Sequence, residues 1–235
     1  MSRFTQSLQL DTKLQTKNQL YSITIVVAIA VGIALSYFFS QESLRIAIPV
    51  FFLFAAAGTG YLFIAALILF EKQEHTLDAL IVTPLRPSEY LISKVLSLSL
   101  LVIIEGAVIV ALAWAFWYGL DFGWPWLLGG LIAMQVIMTI FGIIVVVRYD
   151  KINDFLMPTF LVVMVTQLPF TAAIGLWEPF FFYIIPTYPP FLLMRAAFET
   201  IPTWQIIYGI VASAAWIGGL YYWAFKAFDK HIIQA

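Results

Sequence analysis

The chain is poor in groups that carry chemistry. Its 235 residues include 13 acidic and 12 basic side chains, two histidines and no cysteine. Without cysteine there can be no disulfide, thiolate-bound zinc or iron–sulfur cluster. His75 and His231 are too few and too far apart for a histidine metal site. H-E-x-x-H, G-x-S-x-G and other nucleophile–base arrangements do not occur, and none of the 13 glycines is followed by lysine, so the phosphate-binding G-x-x-x-x-G-K loop is absent. The formal net charge of −1 carries no basic excess that would suit nucleic acid. Two sets of polar residues remain. One is the run Glu71-Lys72-Gln73-Glu74-His75-Thr76-Leu77-Asp78-Ala79-Leu80-Ile81, where acids alternate with apolar side chains. The other is scattered through long apolar stretches: Gly58-Thr59-Gly60, Glu105, Gln135 and Gln167. Asp150 and Asp154 read as solvated charges.

Glu105 raises the sharper question. An ionised side chain at the centre of an apolar membrane helix costs about 2.5–3.5 kcal/mol, so it must be neutral or face a polar partner. Gln135 and Gln167 fall at a similar depth and could complete a hydrogen-bonded cluster with it. The cluster reads either as a clamp between helices or as a substrate-facing or proton-linked group. Gly58-Thr59-Gly60 follows three alanines, and small residues let helices approach closely in lipid. That stretch, like the pairs Ala214/Gly218 and Ala215/Gly219, reads either as packing surface or as the lining of a pathway.

The elements that position these residues follow from composition. The chain is 63% hydrophobic and 11% charged, with a mean hydropathy of +0.96, far from the half-apolar, quarter-charged balance of soluble domains. A membrane helix needs about 20 mostly apolar residues, and six stretches qualify: 21–39, 46–70, 95–117, 127–147, 155–176 and 206–225. Glu105 is the one charged residue within them. Barrel strands would alternate polar and apolar over roughly 10 residues, which runs such as Ile25-Val26-Val27-Ala28-Ile29 do not. The expectation is an all-α integral membrane protein forming one transmembrane domain over 1–235.

Loop charges orient it. With the N-terminus inside, the inner segments hold Arg3, Lys13, Lys17, Lys72, Arg86, Lys94, Arg148, Lys151, Lys226 and Lys230, against Arg45 and Arg195 outside. The positive-inside rule places both termini in the cytoplasm, in a plasma (inner) membrane. Trp114, Trp117, Trp124, Trp126, Trp177 and Trp204 fall near the outer ends, as interfacial rings do. No signal peptide is expected, because residues 1–20 are polar and the first apolar run lacks a cleavage site. Residues 1–20 carry a weak amphipathic pattern, either an interface helix on the inner surface or a solvated tail. Residues 177–205 are aromatic and proline-broken, too short to span and too apolar for water. They predict a re-entrant or interfacial hairpin before the sixth span.

Between spans two and three, in segment 71–94, Leu77, Leu80 and Ile81 share one face of a short helix. Pro84 ends it, and Pro87 or Ser88 opens the next. The result is an apolar knob ringed by charge and turned toward the cytoplasm, which a partner protein would bury. This segment resembles that of the membrane subunits of ABC-2 type transporters, which typically show E-x-E-x-G-T-L-x-x-L, a short S/T-P, then a Tyr or Leu before a Lys that opens span three. The matching positions are Glu71, Glu74, Thr76, Leu77, Leu80, Thr83-Pro84, Glu89, Tyr90 and Lys94. The chain departs at His75, where glycine is usual, and its acids are more widely spaced. Pro186-Thr187-Tyr188-Pro189 and Leu192-Leu193 are similar to the drug-export permeases of that family, including those for fluoroquinolones.

The resemblance implies a permease subunit of an ATP-driven exporter for a hydrophobic or amphipathic compound. It implies a second permease copy, identical or related, and two cytoplasmic ABC ATPase subunits that hold the ATP and Mg, with no cofactor in this chain. The N-terminal helix and a coupling helix would dock on the ATPase, with Glu71, Glu74 and Asp78 meeting basic residues there while Thr76, Leu77, Leu80 and Ile81 transmit movement. Spans two and five would line the route near the dimer axis, under the outer hairpin. A haem-exporter-type permease of cytochrome c maturation is the alternative within the family. An ion-coupled secondary transporter fits less well, since there is one buried carboxylate and no visible repeat. A membrane enzyme would need a catalytic constellation that is not seen.

Overall fold

The computed structural model describes residues 3–74, 76–77, 86–117 and 122–233. Among the described residues it is helical, with six helices long and apolar enough to cross a membrane. A short helix, α1 (Arg3–Lys17), precedes them. The six spans are α2 (Leu20–Phe38), α3 (Gln41–Gln73), α4 (Pro87–Phe116), α5 (Trp124–Val146), α6 (Ile152–Ala173) and the last helix (Thr203–Ile233). Between the last two lies a 3-10 turn (Phe180–Ile184) followed by α7 (Tyr188–Ala196), and the sixth span is accordingly α8.

Helix is the structure these apolar runs must adopt, because lipid offers no partner for a free backbone N–H or C=O. Several hydroxyls inside the spans obey the same constraint, while those of Thr24, Thr139 and Ser213 are buried without a partner among the described residues. Ser36, Ser99, Thr159 and Thr166 each donate to a carbonyl one turn back in their own helix. The ends are set locally. Ser40 caps α3 by accepting from the Ser43 N–H at 3.3 Å. Pro87 opens α4 as the sequence predicts, with the Glu89 carboxylate accepting from the Arg86 N–H at 3.0 Å. Gln19 sits in the left-handed region at φ 58°, breaking the chain between α1 and α2.

Helix α5 is the hub. It packs on α3, α4, α7 and α8, while α2 lies along α4. Close approach explains Gly142: a Cβ there would come 2.7 Å from the Tyr61 carbonyl oxygen of α3. At that crossing α3 departs from α-helix and makes a π turn over Ala57–Leu62. Helix α6 is the outlier, contacting α5 lightly and α3 through the stacked Tyr61–Phe155 and tilted Phe54–Phe170 ring pairs. Much of its apolar surface, including Met157, Phe160, Leu161 and Met164, stays exposed.

Candidate functional site

The end that gathers the lysines and arginines holds a buried ionic junction. Lys94 lies two turns into α4 and is only 2% exposed. Its ammonium donates to Asp11 Oδ1 of α1 at 2.7 Å and to Glu71 Oε1 at the end of α3. Each carboxylate has its second oxygen filled by a hydroxyl from α4: Ser93 donates to Asp11 Oδ2, and Tyr90 donates to Glu71 Oε2. Ser7 and Ser93 are hydrogen-bonded at 2.9 Å, and Gln15 donates to Ser97 at 2.8 Å. Contacts 7–93, 11–94 and 15–97 rise together, so α1 climbs alongside the base of α4.

The segment expected as an amphipathic N-terminal helix or a solvated tail is helical, and the sequence pattern does not foresee its polar packing face. The buried face of α1 is polar, with Asp11 and Gln15 inside and Leu10 outside. The physical reason is that Ser93, Lys94 and Ser97 on α4 offer it partners, and a buried ammonium without carboxylates would be far more costly. Next to Glu71, Lys72 is also committed. Its ammonium donates to the Val147 and Tyr149 carbonyls, each at 2.9 Å, and pairs with Asp150 at 3.0 Å. A cation there meets the negative end of the α5 dipole. The last turn of α3 is thus clamped to α4 on one side and to the end of α5 on the other.

Two expectations for the segment need correcting. Glu71 does not stand free for a partner's basic residue, because Lys94 and Tyr90 occupy both its oxygens. Leu77 does not project from the surface; it is 4% exposed and belongs to the hydrophobic core of this chain. Glu74 and Thr76 are exposed, and the Thr76 hydroxyl donates to the Glu71 carbonyl at 3.0 Å. Asp78, Leu80 and Ile81 lie outside the described residues.

At mid-depth the structure brings together part of the expected polar cluster. Thr59, in the π turn, directs its hydroxyl at the Ala55 carbonyl (3.0 Å) and at Gln135 Oε1 (3.3 Å). A Cβ at Gly60 would lie 3.1 Å from that same oxygen, so the glycine admits the amide. Gly58 faces open space. Glu105 and Gln167 are buried but are not hydrogen-bonded to Gln135 or to each other among the described residues. Glu105 Oε2, Gln135 Nε2 and both amide atoms of Gln167 are buried without a partner. Such unsatisfied groups are uncommon in native structures.

The segment after α6 is more deeply built in than an interfacial loop. Tyr188 to Met194 are all buried, against α5 and α8. Thr187 donates to the Thr166 carbonyl of α6, and Tyr208 of α8 donates to the Tyr183 carbonyl. The Tyr188 hydroxyl donates to Glu178; burial first, then that carboxylate, holds the phenol well above its usual range.

Sequence patterning passes over Asp11, Gln15, Lys72, Tyr90, Ser93 and Ser97 as a cluster, and takes Lys94 only as part of a motif. A signal existed. Asp11 is the one acid before Glu42, and Lys94 the one cation between Arg86 and Arg148.

Comparison with known proteins agrees over the whole chain. A chain 29% identical, aligned over 242 residues that cover 100% of this chain and 98% of the relative, is a fluoroquinolones export permease protein of Mycobacterium tuberculosis strain CDC 1551 / Oshkosh. A protein with the same description from strain ATCC 25618 / H37Rv matches equally well. The profile of the Fluoroquinolones export permease protein family matches residues 2–235. With six membrane-spanning helices and a full-length match, the chain is a multi-pass membrane protein that belongs to the fluoroquinolones export permease protein family.

Proposed function

We propose that the chain is the membrane subunit of an ATP-driven ABC-2 type exporter, moving a hydrophobic or amphipathic drug-like compound out of the cell. It works as a dimer of permeases with two separate ATPase subunits that bind ATP and Mg, and both of its termini are cytoplasmic. The observation that carries this reading is the segment after span two. In a chain of an export-permease family, Glu71, Glu74, Thr76 and Leu77 come at the lysine-rich end in the order of the coupling motif. The first of these acids is fastened to the start of span three. Glu74, Thr76, Asp78, Leu80 and Ile81 then form the face that meets the ATPase, with Glu71 and Leu77 holding that face in place.

The cargo route runs past the π turn. Gly58 leaves open space, Thr59 and Gly60 meet the Gln135 amide, and Glu105, Gln135 and Gln167 hold unpartnered polar atoms among apolar walls. An amphipathic compound needs that combination, since a few well-placed polar groups orient it while apolar walls supply the affinity. The relatives' description supports a fluoroquinolone as the first compound to try.

The test is reconstitution of the permease with its co-expressed ATPase in proteoliposomes. Transport of a fluoroquinolone should require ATP and should fall at least tenfold in Leu80→Asp, with the permease still folded and the ATPase released. Transport that proceeds without any ATPase, or Leu80→Asp complexes with normal assembly and export, would overturn the reading.

A further inference from the structure

The segment between spans two and three is anchored at both of its ends by the same ammonium group. Glu71 stands at its beginning, Tyr90 and Lys94 at its finish, and the Lys94–Glu71 ion pair with the Tyr90–Glu71 hydrogen bond closes the base of the loop. The third partner, Asp11, comes from α1, 83 positions away in sequence from Lys94. A single lysine therefore ties together an N-terminal helix, the last turn of span two and the first turns of span three. Its surroundings are largely dry: Asp11, Ser93, Lys94 and Ser97 are buried, and the Glu71 side chain is 16% exposed. In such a place an ion pair is little screened by salt, and pulling it apart would strand charges away from water.

Movement applied to the loop must respect these ties. If the loop shifts while Glu71 and Lys94 stay paired, its two ends shift together. Because Asp11 holds the same ammonium, and because Ser7–Ser93 and Gln15–Ser97 extend the contact above and below, α1 is carried along. Gln19 has a left-handed backbone directly between α1 and the first span, so the two are separate helices and not one continuous rod.

We propose that Lys94 is the positioning residue that makes α1, the last turn of span two and the first turns of span three one rigid coupling unit, so that a push from the ATPase on the segment between those spans moves all three together. This rests on the ATP-driven reading above. Lys94 touches neither nucleotide nor cargo; it acts by holding Glu71 and Asp11.

The chain has no natural cysteine, so spin labels can be placed at Lys13→Cys on α1 and Gln73→Cys on the last turn of span two, both exposed positions outside the proposed docking face. The measurement is made in the full permease–ATPase complex, with and without trapped nucleotide. In the wild-type background the two labels should keep one narrow distance in both states. In Lys94→Met the distribution should broaden, and transport per ATP hydrolysed should fall at least tenfold while the ATPase stays bound and active. Lys94→Arg, which keeps the charge, should retain transport within about threefold of wild type. Asp11→Asn should release α1 and widen the distance without abolishing ATPase binding, which keeps the proposal open to test if Lys94→Met fails to fold.

A wild-type distance that changes when nucleotide is trapped would overturn the rigid unit. So would a Lys94→Met complex with unchanged distance and unchanged transport per ATP. Wild-type transport indifferent to ATP would instead overturn the ATP-driven reading and the coupling role with it, so the two failures are distinguishable.

Discussion

At the residue scale, two buried charges in this chain are handled in opposite ways. Lys94 has two carboxylates, and each carboxylate has a hydroxyl on its other oxygen. Removing the ammonium would leave a buried Asp11 and a partly buried Glu71 without their cation, a loss of up to about 3–5 kcal/mol. Glu105 has no such provision. Its Oε2 is buried and unpartnered, and an unsatisfied polar atom costs about 1–3 kcal/mol. Glu105→Leu, similar in volume but without polar atoms, is therefore expected to stabilise the detergent-solubilised protein by about 1 kcal/mol or more, read as a higher thermal midpoint. Transport should drop in the same variant, because a group kept at a cost to stability is retained for function. Lower stability would mean that Glu105 has a partner in the fold, and a stabilised, fully active variant would mean that the carboxyl has no part in export. Glu105 stands out in the sequence because a lone charge in an apolar run is conspicuous. The junction does not, because Asp11 and Lys94, each isolated in its stretch of sequence, stand 83 positions apart and only the fold pairs them.

Among the elements, the spans are legible in the sequence and their irregularities are not. Hydropathy locates all six helices, with ends extended by polar turns such as 87–94 that lie beyond the apolar runs. The π turn at Ala57–Leu62 has no local signature, because it reflects how α3 meets α5 and not what its own residues prefer. The stretch Ala55–Gly60 invites a packing reading for all its small residues, yet the structure separates them. A Cβ added at Gly58 would meet nothing within 4 Å, whereas one at Gly60 would meet Gln135 Oε1 at 3.1 Å, and one at Gly142 of α5 would meet the Tyr61 carbonyl oxygen at 2.7 Å. Gly142→Ala should accordingly cost about 1–3 kcal/mol through forced separation of α3 and α5. Gly58→Ala should be neutral or stabilising by up to about 1 kcal/mol, from the helix preference of alanine over glycine. Thermal midpoints of the two variants, measured side by side, check the contrast. Equal losses would mean that the α3–α5 crossing is looser than its geometry. The docking of helix α1 on α4 escapes pattern reading for a related reason. Periodicity is sought in an apolar face, and here the face that packs is the polar one.

For the whole molecule, packing is lopsided. Helices α3, α4, α5 and α7 build a dense centre, while α2, α6 and α8 stand at its edge; on α6, Met157 is 79% and Phe160 67% exposed. Exposure alone does not argue for a partner in a membrane, since lipid tails solvate a methionine as well as another helix would. What does is the polar character of the opposite side of α6. Thr159, Thr166 and Gln167 are buried, and Tyr61 of α3 donates to Thr159 at 3.5 Å. Helix α6 therefore covers the polar side of α3 beside the π turn, and its attachment there runs through a few rings and one long hydrogen bond. A second copy seated on its outer face would press it inward and put the two candidate routes side by side, as the proposed dimer requires. The cysteine-free sequence makes this testable in native membranes. Met157→Cys should give a disulfide-linked dimer on mild oxidation, while Val26→Cys on α2, 66% exposed but on a helix that lies along α4, should stay monomeric. If Val26→Cys cross-links and Met157→Cys does not, α2 and not α6 faces the second copy, and the route cannot lie between two copies of α6. If neither links while the permease still exports, the two copies meet elsewhere or the working unit holds one.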